Sequence, residues 1–234
     1  LEKKLMPDLQ IPVGLTLTEP IDKIHKKVLF AMRDELNRVI TKAVPNIQTA
    51  IQNRSRVFFE TSKEARALIH GPLNAHFGIP KGEEAYRVGA IIQTVINNIE
   101  VTSKKVSVLG YRLGGGITVG AIVADFSDVL NHPEATITTD KGEVLPWLHW
   151  LLLEGDRIII ADYNIRFGNY SSNKFNSRSE QAIMYKSGTG MWRVPPQYSG
   201  TANNNWLTRA IFDVSAAYVD MVGQVIQEKI EAAF

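Results

Sequence analysis

Leu145–Gly168 reads LPWLHWLLLEGDRIIIADYNIRFG, a proline, two tryptophans and three leucines followed by a tight polar turn and a β-branched run. Pro146 stands where a first helical turn tolerates a missing N–H. Trp147, Leu148, Leu151 and Leu152 fall at helical spacing, which predicts a short buried helix. Gly155, between Glu154 and Asp156, is its natural stop, because a left-handed residue costs least without a Cβ. From Arg157 the period changes to two. Ile158, Ile160 and Asp162 share one face, and Ile159, Ala161, Tyr163, Ile165 and Phe167 the other, which predicts a central strand. The rest of the chain is read outward from this helix, turn and strand.

On the N-terminal side, residues 1–17 carry Pro7, Pro12 and Gly14 among scattered apolar residues and read as an extended arm. Thr18-Glu19-Pro20 is a helix-start signal. Ile21, Ile24, Val28, Met32, Leu36, Val39 and Ile40 follow at spacings of three and four, so the first helix is expected to end before Pro45. Pro45 either kinks the chain or begins a second helix, Asn46–His70, stopped by Gly71-Pro72. A third helix is expected over Gly82–Ile99, with Val88, Ile91, Ile92, Val95 and Ile96 as its apolar stripe. At Glu100 the period becomes two, giving a strand with a polar edge. Gly110–Gly116 reads as the turn to a second strand, Ile117–Asp125, and Phe126–Asp140 as an irregular connection.

On the C-terminal side, Asn169–Ser179 is a polar loop. Long structureless connections inside compact domains tend to be functional or mobile. A fourth strand runs over Gln181–Lys186, turns at Ser187–Gly190 and leaves through Met191–Val194. Asn203–Asn205 offer side-chain caps for a final helix with Leu207, Ile211, Val214, Tyr218, Met221, Val225 and Ile226 on its buried face. The sum is an α+β fold: three N-terminal helices, a small antiparallel β-sheet with flanking helices, and a long C-terminal helix. Residues 18–234 form one domain, with a helical part over 18–99, a sheet part over 100–194 and a closing helix over 203–234.

At 234 residues with 44% hydrophobic and 21% charged content, the chain has the composition of an ordinary globular protein. A net charge of +2 gives no argument for a polyanion partner from total charge. Residues 1–110 hold 16 Lys and Arg against 11 Asp and Glu, and the remainder 10 against 13. That polarity suits head-to-tail stacking. There are no cysteines, so disulfides and thiolate chemistry are excluded, which is compatible with intracellular synthesis. No apolar run approaches the ~20 residues needed to span a bilayer. Glu2, Lys3, Lys4 and Pro7 interrupt any secretory apolar segment.

Candidate chemistry is sparse. Gly114-Gly115-Gly116 lacks the Lys-Ser/Thr ending of a phosphate-binding loop and precedes a strand. Of the histidines 25, 70, 76, 132 and 149, only His70 and His76 are close in sequence, across Gly-Pro and without nearby carboxylates. His149 between two tryptophans reads as a core or interface residue. Glu154 and Asp156 flank a turn with no nucleophile to serve. Asp162, if buried in its strand, needs Arg157 or Arg166 as an ion-pair partner. No catalytic, cofactor-binding or metal residue is therefore assigned. Arg54, Arg56, Lys63 and Arg66 form a basic helix face suited to DNA or a neighbouring subunit, the nucleic-acid-binding alternative. Tyr170, Lys174, Phe175 and Arg178 combine charge and aromatic surface in the polar loop, as an assembly loop would.

Two segments taken together, GEVLPWLHWLLLEGDRIIIADYNIRFG (142–168) and SRSEQAIMYKSGTGMWRVPPQYSGTANNNWLTRAI (177–211), resemble neck, head–tail joining and tail-completion or tail-terminator proteins of tailed bacteriophages. The resemblance implies a non-enzymatic virion protein without cofactors, assembled in the host cytoplasm. It implies a homo-oligomeric ring, with a hexamer as leading stoichiometry and a dodecamer as competitor. Its expected partners are itself, neighbouring neck, portal-adaptor or tail-tube proteins, and genomic DNA in passage, with no membrane.

Overall fold

Pro45 does not end a helix. Helix α1 runs unbroken over Ile21–Thr61, 41 residues, with Pro45 inside it, about 62 Å at 1.5 Å per residue. Proline removes the bond to the carbonyl four residues back, here Thr41. Thr41 and Pro45 are both exposed, so water can satisfy that group. The break falls later, at Ser62, whose backbone leaves the helix at φ −61 and ψ 153. Its hydroxyl donates to the Phe59 carbonyl at 2.7 Å and accepts from the Ala65 N–H at 3.2 Å. The expected helix over 46–70 is thus divided, and α2 is Lys63–Ile69. Helices α3 (Pro72–Phe77) and α4 (Glu84–Asn97) complete a helical part of four helices where sequence reading expects three. The computed structural model describes residues 20–120, 125–171 and 177–232; the arm over 1–17 and the end of the expected second strand, 121–124, lie outside them.

Among the described residues the antiparallel β-structure is three separate two-stranded ribbons. Strands β1 (Glu100–Leu109) and β2 (Arg112–Gly120) are joined by a turn of only Gly110 and Tyr111, with Gly110 at φ +66. The expected turn over 110–116 is therefore shorter, and the three glycines belong to β2. The register shifts between Lys104 and Ser107, opposite this glycine run. A Cβ on Gly115 would stand 2.9 Å from the Val106 side chain, so glycine permits the close approach at the bulge. After α5 (Ser127–Leu130) and a single turn at Pro133–Ala135, β3 (Ile137–Thr138) pairs with β4 (Val144–Leu145).

Helix α6 (Trp147–Leu153) buries Trp147, Leu148, Leu151 and Leu152 completely. Gly155 follows at φ +56, the left-handed stop read from the sequence, and its N–H donates to the Gly200 carbonyl at 2.9 Å. The strand that follows, β5 (Ile160–Phe167), is not central. Among the described residues it pairs only with β6 (Ala182–Trp192), and it contains no fully buried residue, with Phe167 51% exposed. The expected turn at 187–190 lies inside β6 as a wide bulge: Ala161 faces Met191 while Tyr163 faces Lys186. Gly190 is required there, because a Cβ would collide with the Tyr163 carbonyl. Opposite it, Asp162 takes φ +65 and is exposed. Its expected burial against Arg157 or Arg166 is overturned, because the bulge rotates it out of the alternation and Asp tolerates the left-handed region.

The last helix, α7 (Trp206–Glu231), starts at Asn205 with a reciprocal capping box: the Asn205 side chain accepts from Thr208 N–H while the Thr208 hydroxyl accepts from Asn205 N–H. It runs antiparallel to α1. Phe59 meets Trp206 edge-on at 6.5 Å, and toward the far end Leu36 and Ile40 line one groove with Val222 and Ile226. The core lies where α1, α2, α4, α6 and the first half of α7 converge. Phe77 links two helical layers and the last ribbon, with ring centroids 6.0 Å from Trp147 and 6.3 Å from Trp192. Among the described residues no helix is long and apolar enough to cross a membrane.

Candidate assembly surface

Helix α1 changes partners along its length. Gln52 donates to the Ile96 carbonyl at the end of α4, and Asn37 clamps β1 by donating to the Val106 carbonyl at 3.1 Å and accepting its N–H at 2.8 Å. The ribbon turn then accompanies the helix start, with the Tyr111 hydroxyl 3.5 Å from Asp22. Burial on α1 begins only at Val39 and recurs at Ala43, Ile47, Ile51, Ser55 and Phe59. Ile21, Val28 and Met32, read from the sequence as part of the apolar spacing of the first helix, are 62%, 50% and 44% exposed. Spaced by seven and four, they form one apolar stripe on the outer third of the helix. The sequence carried a signal for this: Lys23, Lys26 and Lys27 make the segment more charged than the turns after Val39.

A second apolar feature lies between β2 and the outer half of α7. Leu113, Ile117 and Val119 face Val219, Val222 and Ile226 across an open groove of about 490 Å³. Val119 also borders an adjoining opening of about 650 Å³ that reaches Phe212. Where the helices close together, Ser55 and Tyr218 share a hydrogen bond of 2.5 Å, and burial pushes the Tyr218 hydroxyl's pKa up. Nearby, Glu64, only 3% exposed, takes the Arg209 guanidinium at 2.8 Å and so ties α2 to α7.

The basic residues Arg54, Arg56, Lys63 and Arg66 do not lie on one helix. The break at Ser62 puts Arg54 and Arg56 on α1 and Lys63 and Arg66 on α2. Arg54 stacks on Phe58 at 5.1 Å, Arg56 donates to Gln93 at 2.6 Å and lies 3.9 Å from Glu60, and Lys63 lies 3.9 Å from Glu64. Arg56 and Lys63 thus each stand 3.9 Å from a carboxylate.

Of the expected assembly-loop residues, Lys174 and Phe175 lie outside the described residues. Tyr170 donates its backbone N–H to the Glu180 carbonyl at 2.8 Å. Arg178 turns inward, its Nε donating to the Gly78 carbonyl at 3.1 Å, while its own carbonyl accepts from Lys81 N–H. Lys81 and Glu180 pair at 2.7 Å, which raises the lysine's pKa. The roots of the loop are thus stitched to the turn after α3.

Nor does the fold assemble the sequence's scattered ionisable groups. His149, 3.5 Å from Glu154, is 44% exposed, and Glu154 also pairs with Arg157 at 3.2 Å. His70 is exposed at the end of α2, whereas His76 is half-buried edge-on to Phe167 at 5.2 Å, and burial holds its pKa down at about 4. Among the described residues no group of three or more His, Cys, Asp and Glu is placed to hold a metal ion. No family model, curated protein or solved structure matches the chain.

Proposed function

We propose that the chain is a structural subunit of a homo-oligomeric ring in the neck of a tailed bacteriophage, joining head to tail or completing the tail tube. Identity rests on the resemblance carried by segments 142–168 and 177–211. The observation that supports self-association is the stripe Ile21, Val28 and Met32 on the outer third of α1. Apolar side chains aligned on a projecting helix are stabilised by a partner surface. Closed symmetric assembly supplies one without an open-ended filament. In this reading the core around α6 holds the projecting helix in a fixed direction, and the role is structural, not catalytic.

Native mass spectrometry of the full chain tests it. The expected species is six times the 26.1 kDa chain mass, with twelve times as the competitor. Val28→Asp with Met32→Asp should return the protein to monomer while leaving its helix content unchanged, because both positions are exposed. A wild-type protein that stays monomeric at assembly concentrations, or a ring indifferent to the two charges, refutes the proposal.

A further inference from the structure

Helix α7 carries an apolar stripe on the side turned away from its buried face. Its buried residues are Trp206, Leu207, Ala210, Val214 and Tyr218. At about 100° per residue, Phe212 stands roughly 200° round the helix from both Ala210 and Val214. Phe212 is 79% exposed, and Val219, seven residues on, is 74% exposed. Phe212, Ala216, Val219 and Gly223, all exposed, follow at steps of four, three and four. That is the spacing of a seam that meets another helix. Glycine weakens a helix interior, and one of its uses is to let another group approach the backbone closely. A Cβ added at Gly223 would meet no described atom within 4 Å, so crowding among the described residues does not account for it.

The stripe on α1 repeats the same steps. Ile21, His25, Val28 and Met32 follow at four, three and four and are all exposed. Each seam covers eleven residue steps, about 16 Å of helix. Within one chain the two cannot pair. Leu36 and Ile40 line one groove with Val222 and Ile226. From Ile226, α7 runs five residues further to its end at Glu231, about 7.5 Å. Ile21 lies fifteen residues before Leu36, about 22 Å.

We propose that the Ile21–Met32 seam of α1 packs antiparallel against the Phe212–Gly223 seam of α7 in the next copy of the chain, an inference that rests on the ring reading above. Antiparallel alignment sets Ile21 against Gly223 and Val28 against Ala216. Two β-branched side chains then fall on the two smallest residues of the other seam, as interdigitating layers require. Met32 meets Phe212, a sulfur–aromatic contact, and His25 meets Val219. Parallel alignment would instead set Ile21 on Phe212 and Val28 on Val219, bulk against bulk. Charge favours the same two helices as partners. Residues 21–32 hold three lysines against one aspartate, and residues 212–231 four carboxylates against one lysine. Opposite potentials steer such surfaces together and disfavour pairing of like with like. Because the two surfaces differ, each copy offers one seam and accepts on the other, which closes a ring instead of ending at a dimer.

The chain has no cysteine, so introduced ones report without background. Ile21→Cys with Gly223→Cys in one chain, mildly oxidised, is expected to link copies into a ladder on a non-reducing gel. The ladder should end at the ring number read by native mass spectrometry. Either cysteine alone should link nothing, since each position meets the other and not itself. Ile21→Cys with Phe212→Cys, the pair that parallel alignment would join, should link at least about tenfold more slowly, because Phe212 stands about 16 Å along the helix from Gly223. A dimer from either single cysteine, a bond within one chain, or equal rates for the two pairs overturns the proposal. A cysteine-free variant gives an independent reading. Gly223→Leu, at an exposed position in a helix, should keep the helix content and raise the dissociation constant of the ring at least about tenfold by overfilling the contact; an unchanged ring overturns it. Wild-type rings whose introduced cysteines do not join remove this contact and leave the assembly reading standing, whereas a monomeric wild type removes both.

Discussion

Lowering the pH from 7.5 to 5 should weaken the fold through His76. Its ring is half-buried beside Phe167, and its Nδ1 is buried without a hydrogen-bond partner among the described residues. Burial holds the imidazole at about 4, against 6.5 for the ordinary group. Between those values the unfolded chain binds a proton that the folded chain does not. Stability therefore rises with pH across the window and is lost as pH falls from 6.5 toward 4. At pH 5 the two values correspond to a ceiling of about 2 kcal/mol, and to about 1 kcal/mol once the water reaching part of the ring is allowed for. Urea unfolding at pH 7.5, 6 and 5 measures it, with His76→Phe as reference to cancel every other titrating group. The wild type should lose about 1 kcal/mol more than the variant over this range. Identical pH dependence in the two proteins, or a folded-state titration of His76 by NMR at pH 6 or above, would refute the reasoning.

Two further substitutions probe how the elements are tied together. Glu64→Gln leaves the Arg209 guanidinium facing a neutral group at 2.8 Å, and should cost about 2 kcal/mol, less than the ~3–5 kcal/mol of a fully buried pair because Arg209 retains some solvent. Replacing both residues by methionine should cost less than the single change, since no charge is left buried; urea melts showing the reverse order would sink this account. Gly190→Ala sets a methyl group against the Tyr163 carbonyl at the bulge of β5 and β6. It should cost about 1–3 kcal/mol, and a thermal midpoint indistinguishable from wild type would remove the close crossing.

What is legible in the sequence is local. Trp147, Leu148, Leu151 and Leu152 announced a buried helix because four large apolar side chains at helical spacing have one way to leave water together. Gly155 announced its end and Asn205 the start of α7, because both are backbone problems solved within a few residues. The candidate site was not legible in this way. The stripe Ile21, Val28 and Met32 has the same periodicity as the buried residues further along α1. Periodicity says that a face is apolar, never whether anything covers it.

The sequence by itself determined the α+β class, the apolar faces of α4, α6 and α7, and the helix caps, each a matter of periodicity or of one residue's conformational preference. Tertiary structure alone decided that α1 continues through Pro45, since the freed Thr41 carbonyl faces solvent and the next turns are held by α7 and α4. It decided that the β-branched run 157–161 leads into a ribbon at the rim of the core, where Ile159, Ile160 and Ile165 pack half-buried while α6, Phe77 and Trp192 fill the centre. It also decided that the groove beside β2 stays open among the described residues. The width of that groove depends on how a two-stranded ribbon sits over a pair of packed helices, which no single stretch of sequence encodes.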